Sequence, residues 1–150
     1  MAEVEIMSMI RHKHVIRLLE VFETTHYLYM VLEHANGGDL LNHVQRVKAM
    51  TEDEARPVFK QILYGIAHCH CRSVLHRDIK LDNILIGDKG NVKVCDFGIS
   101  KLIKDSKSMI VEICGTPAYM APETFSEKGY CGFMSDIWSL GILLYAMVCG

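Results

Sequence analysis

Apolar and polar positions along the chain change period several times, and each change marks an element. Near the start Val4, Met7 and Ile10, with Ile6 beside them, recur at three- and four-residue intervals. They share one face of a helix expected over 2–11. Two β-like runs follow, 15–22 and 27–32, joined by the turn-prone Glu23-Thr24-Thr25-His26. Asn36-Gly37-Gly38 breaks the pattern, and a short helix is expected over 40–46 with Asp39 at its start. Thr51, with Glu54 three residues on, forms a capping box. The helix it opens, over roughly 51–72, turns Val58, Ile62, Leu63 and Ile66 inward, with Ala55 in line. Pro57 removes one helical hydrogen bond, at an interior cost of about 3 kcal/mol, so this helix either bends there or starts later. Ile84–Ile86 and Val92–Val94 flank Gly87-Asp88-Lys89-Gly90-Asn91 and read as a hairpin. Ser135-Asp136-Ile137-Trp138 opens a last helix, whose apolar run over 140–149 reads as buried.

Composition narrows the class. The 150 residues suffice for one ordinary domain, and a balance of 50% apolar to 23% charged residues is globular. A net charge of −2 gives no reason to expect a nucleic acid or an anionic membrane as partner. The apolar run over 140–149 is about half of what a membrane span needs. Six cysteines without a spaced framework, behind a start that does not resemble a signal peptide, point to reduced thiols and a cytoplasmic or nuclear setting. His68-Cys69-His70-Cys71 invites a zinc reading, but helical residues two apart point to nearly opposite faces, which disfavours it.

The densest chemistry lies in His76-Arg77-Asp78-Ile79-Lys80-Leu81-Asp82-Asn83, a loop between the long helix and the first hairpin strand. Asp78 can accept a proton from an attacking hydroxyl, and Lys80 can reach a migrating phosphate. Asn83 offers the neutral oxygen that a hard cation such as Mg²⁺ accepts. Taken alone, the same loop reads equally well as a polar turn closing the helix before it. Asp96-Phe97-Gly98 follows the second hairpin strand and adds a charged metal ligand, an apolar anchor and a flexible joint.

Further on stand Gly115-Thr116-Pro117-Ala118-Tyr119-Met120-Ala121-Pro122-Glu123 and Asp136-Ile137-Trp138-Ser139-Leu140-Gly141. The four blocks resemble the protein-kinase signature, with H-R-D-x-x-x-x-N, D-F-G and A-P-E intact and in order. The resemblance covers essentially the whole chain and is nearest to the serine/threonine kinases of the calmodulin-dependent and SNF1-like group. It implies an α+β chain with the two-lobed protein-kinase fold, here incomplete: 1–32 a remnant of the small lobe, 33–39 the hinge, and 40–150 the large lobe up to its central helix. It implies transfer of the ATP γ-phosphate, with Mg²⁺, to serine or threonine hydroxyls of protein substrates. An upstream activating kinase is a further partner, and neither nucleic acid nor membrane is expected. The alternative is a catalytically inactive kinase-like fragment or pseudokinase that serves as a binding or regulatory module.

Roles follow from the resemblance position by position. Asp78 is the base, Lys80 the phosphate contact, and Asn83 with Asp96 the metal ligands. Glu3 is the helix glutamate that pairs with the ATP-anchoring lysine. Leu32 takes the gatekeeper position, Glu33 and Ala35 meet adenine through their backbones, and Leu85 forms the floor beneath it. Asp39 contacts ribose or a basic substrate side chain, or is only an acid at a helix N-terminus. Cys95 is a small apolar wall residue, and Asp136 holds the backbone around His76 and Arg77. Thr116 with Lys80 marks the serine/threonine type.

Arg77 implies that the activation segment, 96–123, needs a negative charge to order it. At the family's activating threonine this chain has Glu112, which either replaces phosphate with one charge in place of roughly two, or is a solvated loop charge beside a true switch at Ser100, Ser106 or Ser108. The family's Gly-rich phosphate loop, its lysine strand and the arginine partner of Glu123 do not occur among these residues. The intact H-R-D and D-F-G blocks favour an active enzyme for the full-length protein. These 150 residues alone are expected to be inactive.

Overall fold

The computed structural model describes residues 2–105 and 108–150. Ser106, one of the candidate phosphosites, lies outside the described residues. The order of elements is α1 (Ala2–Met9), β1 (Leu18–Glu23), β2 (Leu28–Leu32), α2 (Leu40–Val47), α3 (Glu52–His70), β3 (Val74–Leu75), β4 (Ile84–Ile86), β5 (Val92–Val94), β6 (Lys101–Leu102) and α4 (Gly132–Cys149). The strands pair antiparallel in three two-stranded sheets, β1 with β2, β3 with β6 and β4 with β5. The chain is α+β.

α1 turns Ile6 and Met7 into the core, with Ile10 just beyond its end, and leaves Val4 half-buried. β1 begins at Leu18 and not at Val15, because Val15 and Ile16 are drawn to β5: Ile16 N–H donates to Val94 O at 2.8 Å, and Val94 N–H to His14 O at 2.9 Å. Those bonds tie the N-terminal part to the edge of β5 and make one continuous core. Leu19 is an extra residue in the β1–β2 ladder, since Leu18 faces Leu32 while Glu20 faces Val31. The hairpin is largely exposed on its outer side, where Phe22 and Tyr29 stack at 4.9 Å.

α3 carries the core. Thr51 accepts from Glu54 N–H while the Glu54 carboxylate accepts from Thr51 N–H, so the helix starts at Glu52 and the later start is excluded. Pro57 sits inside the helix with an exposed side chain. The buried stripe is Ala55, Ile62, Gly65, Ile66 and Cys69, packed against Val92 and Val94 of β5 and Leu143 and Met147 of α4. Leu63, expected inside, is exposed. At ~100° per residue it stands about 100° round the helix from Ile62, beyond the covered stripe. Gly65 is a close approach: a Cβ there would meet His14 O at 2.7 Å.

α4 also corrects an expectation. Its buried residues form a narrow stripe, Gly132, Asp136, Ser139, Leu140, Leu143 and Met147. Met134, Ile137, Trp138 and Tyr145 are exposed. By length and composition alone α4 could cross a membrane. Its two buried polar side chains instead serve the fold: Ser139 Oγ donates to Tyr119 O at 2.8 Å, and Asp136 reaches the loop before β4.

Candidate active site

The loop between β3 and β4 is fixed from beneath. Asp136, itself buried, accepts through Oδ2 from His76 N–H at 3.0 Å and through Oδ1 from Arg77 N–H at 2.9 Å. His70 Nε2 lies 2.8 Å from the same Oδ2 and was not foreseen, since its partner is 66 residues away. A buried carboxylate costs much unless its lone pairs are used, and here three donors use them. His76 is fully buried: Asp78 N–H donates to its Nδ1 at 3.2 Å, which leaves Nε2–H to donate to Cys95 O at 3.0 Å. Burial drives the His76 pKa down, against the pull of the Asp136 carboxylate, so the ring is neutral. Its ring lies tilted against Phe97, with centroids 5.0 Å apart, which joins the loop to the D-F-G turn.

On this base Asp78 is surrounded by donors. Thr116 Oγ1 donates to Oδ1 at 2.7 Å, while Oδ2 receives Lys80 Nζ at 3.0 Å and Asn83 Nδ2 at 3.1 Å. Lys80 Nζ also donates to Thr116 Oγ1 at 3.0 Å. Burial raises the Asp78 pKa, but the bonds from Thr116, Lys80 and Asn83 outweigh it, and the carboxyl ends below its usual range. Burial lowers the Lys80 pKa, yet the bond to Asp78 and its charge leave the ammonium above its usual value. The pair is ionised at neutral pH.

The predicted metal pair is brought to one edge. Cys95 N–H donates to Asn83 O at 2.9 Å at the end of the β4–β5 hairpin, and Asp96 is the next residue along the chain. Asn83 commits its amide nitrogen to the Asp78 carbonyl at 2.9 Å and carboxylate. Asp96 is exposed, has φ 62°, and accepts from Gly98 N–H at 3.2 Å. Together they present an amide and a carboxylate oxygen, hard donors of the kind Mg²⁺ takes in ones and twos beside phosphate and water. Among the described residues no cluster of three or more histidine, cysteine or acidic side chains could replace them. Burial pushes the Cys95 thiol up to about 12, so it is an uncharged wall.

Glu3 lies near the D-F-G turn: its Oε2 is 3.9 Å from where a Cβ on Gly98 would stand. Leu32 ends β2, opposite Leu18. Glu33 spends its carboxylate on Lys93 Nζ at 2.8 Å and Arg17 N–H at 3.2 Å, and its own N–H on Arg17 O at 2.9 Å. Ala35 is half-buried. Asp39 caps α2, accepting from Asn42 N–H at 2.7 Å and Asn42 Nδ2 at 2.6 Å. Both its oxygens are in use, so a ribose hydroxyl would have to share one. A bridge between Asp39 and Leu85 places the half-buried Leu85 next to that cap. The His-Cys-His-Cys run diverges: His68 stacks on His12 at 4.8 Å, His70 meets Asp136, Cys69 is buried and Cys71 is exposed.

Comparison with known proteins gives the family. The model of the family described as "Protein kinase domain" matches residues 1–150. The chain belongs to the protein kinase family. The kinase chain is 47% identical over 148 residues to a serine/threonine-protein kinase SIK3 homolog of Danio rerio, matching 99% of this chain and 12% of that protein. It is 42% identical over 148 residues to CBL-interacting serine/threonine-protein kinase 8 of Arabidopsis thaliana, covering 33% of it. It is 43% identical over 150 residues to CBL-interacting protein kinase 17 of Oryza sativa subsp. japonica, again covering 33%. The kinase chain thus spans between about an eighth and a third of these relatives.

Proposed function

We propose that the protein containing this chain transfers the γ-phosphate of ATP to serine or threonine hydroxyls of protein substrates. The observation that carries the reading is the Asp78 carboxylate, held ionised and oriented by Thr116, Lys80 and Asn83. In this role Asp78 Oδ accepts the hydroxyl proton as the oxygen attacks, and Lys80 Nζ steadies the phosphate that is moving. Asn83 and Asp96 would hold Mg²⁺, which when bound neutralises charge on the phosphate oxygens. Adenine is placed against the backbones of Glu33 and Ala35 and over Leu85, with Leu32 behind it. Glu3, close to the D-F-G turn, is assigned to the ATP-anchoring lysine. Residues 1–32, 33–39 and 40–150 are assigned to small lobe, hinge and large lobe.

Protein substrates follow from this reading, with an upstream kinase as a candidate activator, and cysteines free of disulfides suit the cytoplasm or nucleus. Two of the relatives named above are called CBL-interacting, which makes a CBL regulatory partner a candidate for this protein too.

The test is phosphoryl transfer from Mg²⁺-ATP by the full-length protein to a mixed peptide library. Phosphoserine and phosphothreonine are expected, and Asp78→Asn should lower kcat by about 10²- to 10⁴-fold, the usual share of a general base. Undiminished transfer by that variant would remove Asp78 from the mechanism.

A further inference from the structure

The activation segment is fastened by a carboxylate that belongs to the chain. Glu112 is 55% exposed, yet each of its oxygens is taken by a different cation: Arg77 Nη1 meets Oε2 at 2.7 Å, and Lys101 Nζ meets Oε1 at 2.8 Å. The two cations come from separate elements. Arg77 precedes Asp78 in the catalytic loop, its side chain is only 12% exposed, and its Nε is fixed to Ile99 O at 2.6 Å. Lys101 lies on β6, which is paired with β3.

The backbone around Glu112 is held from the other side. Tyr130 Oη donates to Glu112 O at 3.0 Å, and Ile110 and Tyr130 exchange two backbone bonds of 2.8 Å. Four residues on, Thr116 donates to Asp78. Gly115 between them, at φ 110°, brings the segment so near that a Cβ would meet Arg77 O at 2.7 Å. Arg77 and Gly115 are therefore in register only while the segment stays in place. Without Glu112, Arg77 Nη1 and Lys101 Nζ would each lose the carboxylate oxygen they meet. Ser100 and Ser108 hold no such position: Ser100 Oγ donates to Phe97 O at 2.5 Å, and Ser108 is exposed with its N–H on Asp105 O.

Resting on the kinase reading above, we propose that Glu112 is a positioning residue whose own charge locks segment 108–116 onto the catalytic loop, so that Thr116 and Asp78 stay aligned without a phosphate being added. An exposed ion cluster is screened by salt, and one carboxylate brings less charge than a phosphate, so the lock is partial and ionic-strength dependent.

The experiment uses the full-length protein after phosphatase treatment, comparing wild type with Glu112→Gln and Glu112→Asp. Wild type is expected to retain turnover, with kcat falling as salt rises. Glu112→Gln should lower kcat about tenfold at low salt, leave the KM for ATP nearly unchanged and flatten the salt dependence, while Glu112→Asp recovers part of the loss. Amide hydrogen exchange over 108–116 should accelerate in Glu112→Gln. A glutamine variant with the kcat and salt slope of wild type would overturn the proposal, as would a wild type that needs prior phosphorylation. If wild type transfers no phosphate at all, the kinase reading fails separately, and the exchange comparison alone decides the lock: faster exchange supports it and unchanged exchange overturns it.

Discussion

Thr116 donates to one oxygen of Asp78 and accepts from Lys80, which itself meets the other oxygen. The three groups form a closed ring, and each fixes the other two. Thr116→Val keeps the shape and removes the hydroxyl, so Asp78 loses a charge-assisted bond of the class worth about 1.5–3 kcal/mol. The expected result is a kcat lower by roughly ten- to a hundredfold with the KM for ATP little changed. The acid limb of kcat should also move to higher pH, because the lost bond favours the ionised carboxyl. An unchanged kcat and acid limb would count against the ring. That Asp78, Lys80 and Asn83 sit together was legible in the sequence because they lie within six residues on one loop, while their roles and that of Asp96 rest on the resemblance. The Glu112 contact with Arg77 was legible only as one of two alternatives, and Lys101, its second cation, was not legible at all. Lys101 carries no motif, and only the pairing of β6 with β3 brings it to Glu112.

Among the elements, α3 and α4 supply the platform. The capping box at Thr51 and the hairpin of β4 and β5 could be read locally, since each is decided by residues within a few positions. The exposure of Leu63 and of much of α4 could not, because which stripe of a helix is covered depends on what packs against it. Asp136 joins α4 to the catalytic loop by accepting from two backbone N–H groups and His70. Asp136→Ala leaves those N–H groups without an acceptor in a buried place, at about 1–3 kcal/mol each. The expected outcome is a stability loss of roughly 2–5 kcal/mol in urea unfolding, with Asp136→Asn, which keeps one oxygen, losing less. Equal midpoints for wild type and the alanine variant would contradict this account of α4.

For the molecule as a whole, four histidines share one tendency. His12, His14, His68 and His76 all have pKa values below the usual imidazole value, burial being the first cause in each. A folded-state pKa below the unfolded one means that the unfolded chain takes up protons first as the pH falls. Stability is then full above the unfolded value of about 6.5 and declines below it. Melting temperature is expected to drop between pH 7.5 and pH 5.5, and a flat profile across that window would contradict it. The central claim is that Asp78 and the Asn83–Asp96 edge form one phosphoryl-transfer site. Its most direct test is the rate of γ-phosphate transfer from Mg²⁺-ATP by full-length protein carrying Asp96→Ala, beside a melting curve of the same variant. Transfer is expected to fall at least about a hundredfold, while melting stays close to wild type because the Asp96 side chain is exposed. Near-normal transfer by the Asp96→Ala protein would contradict it.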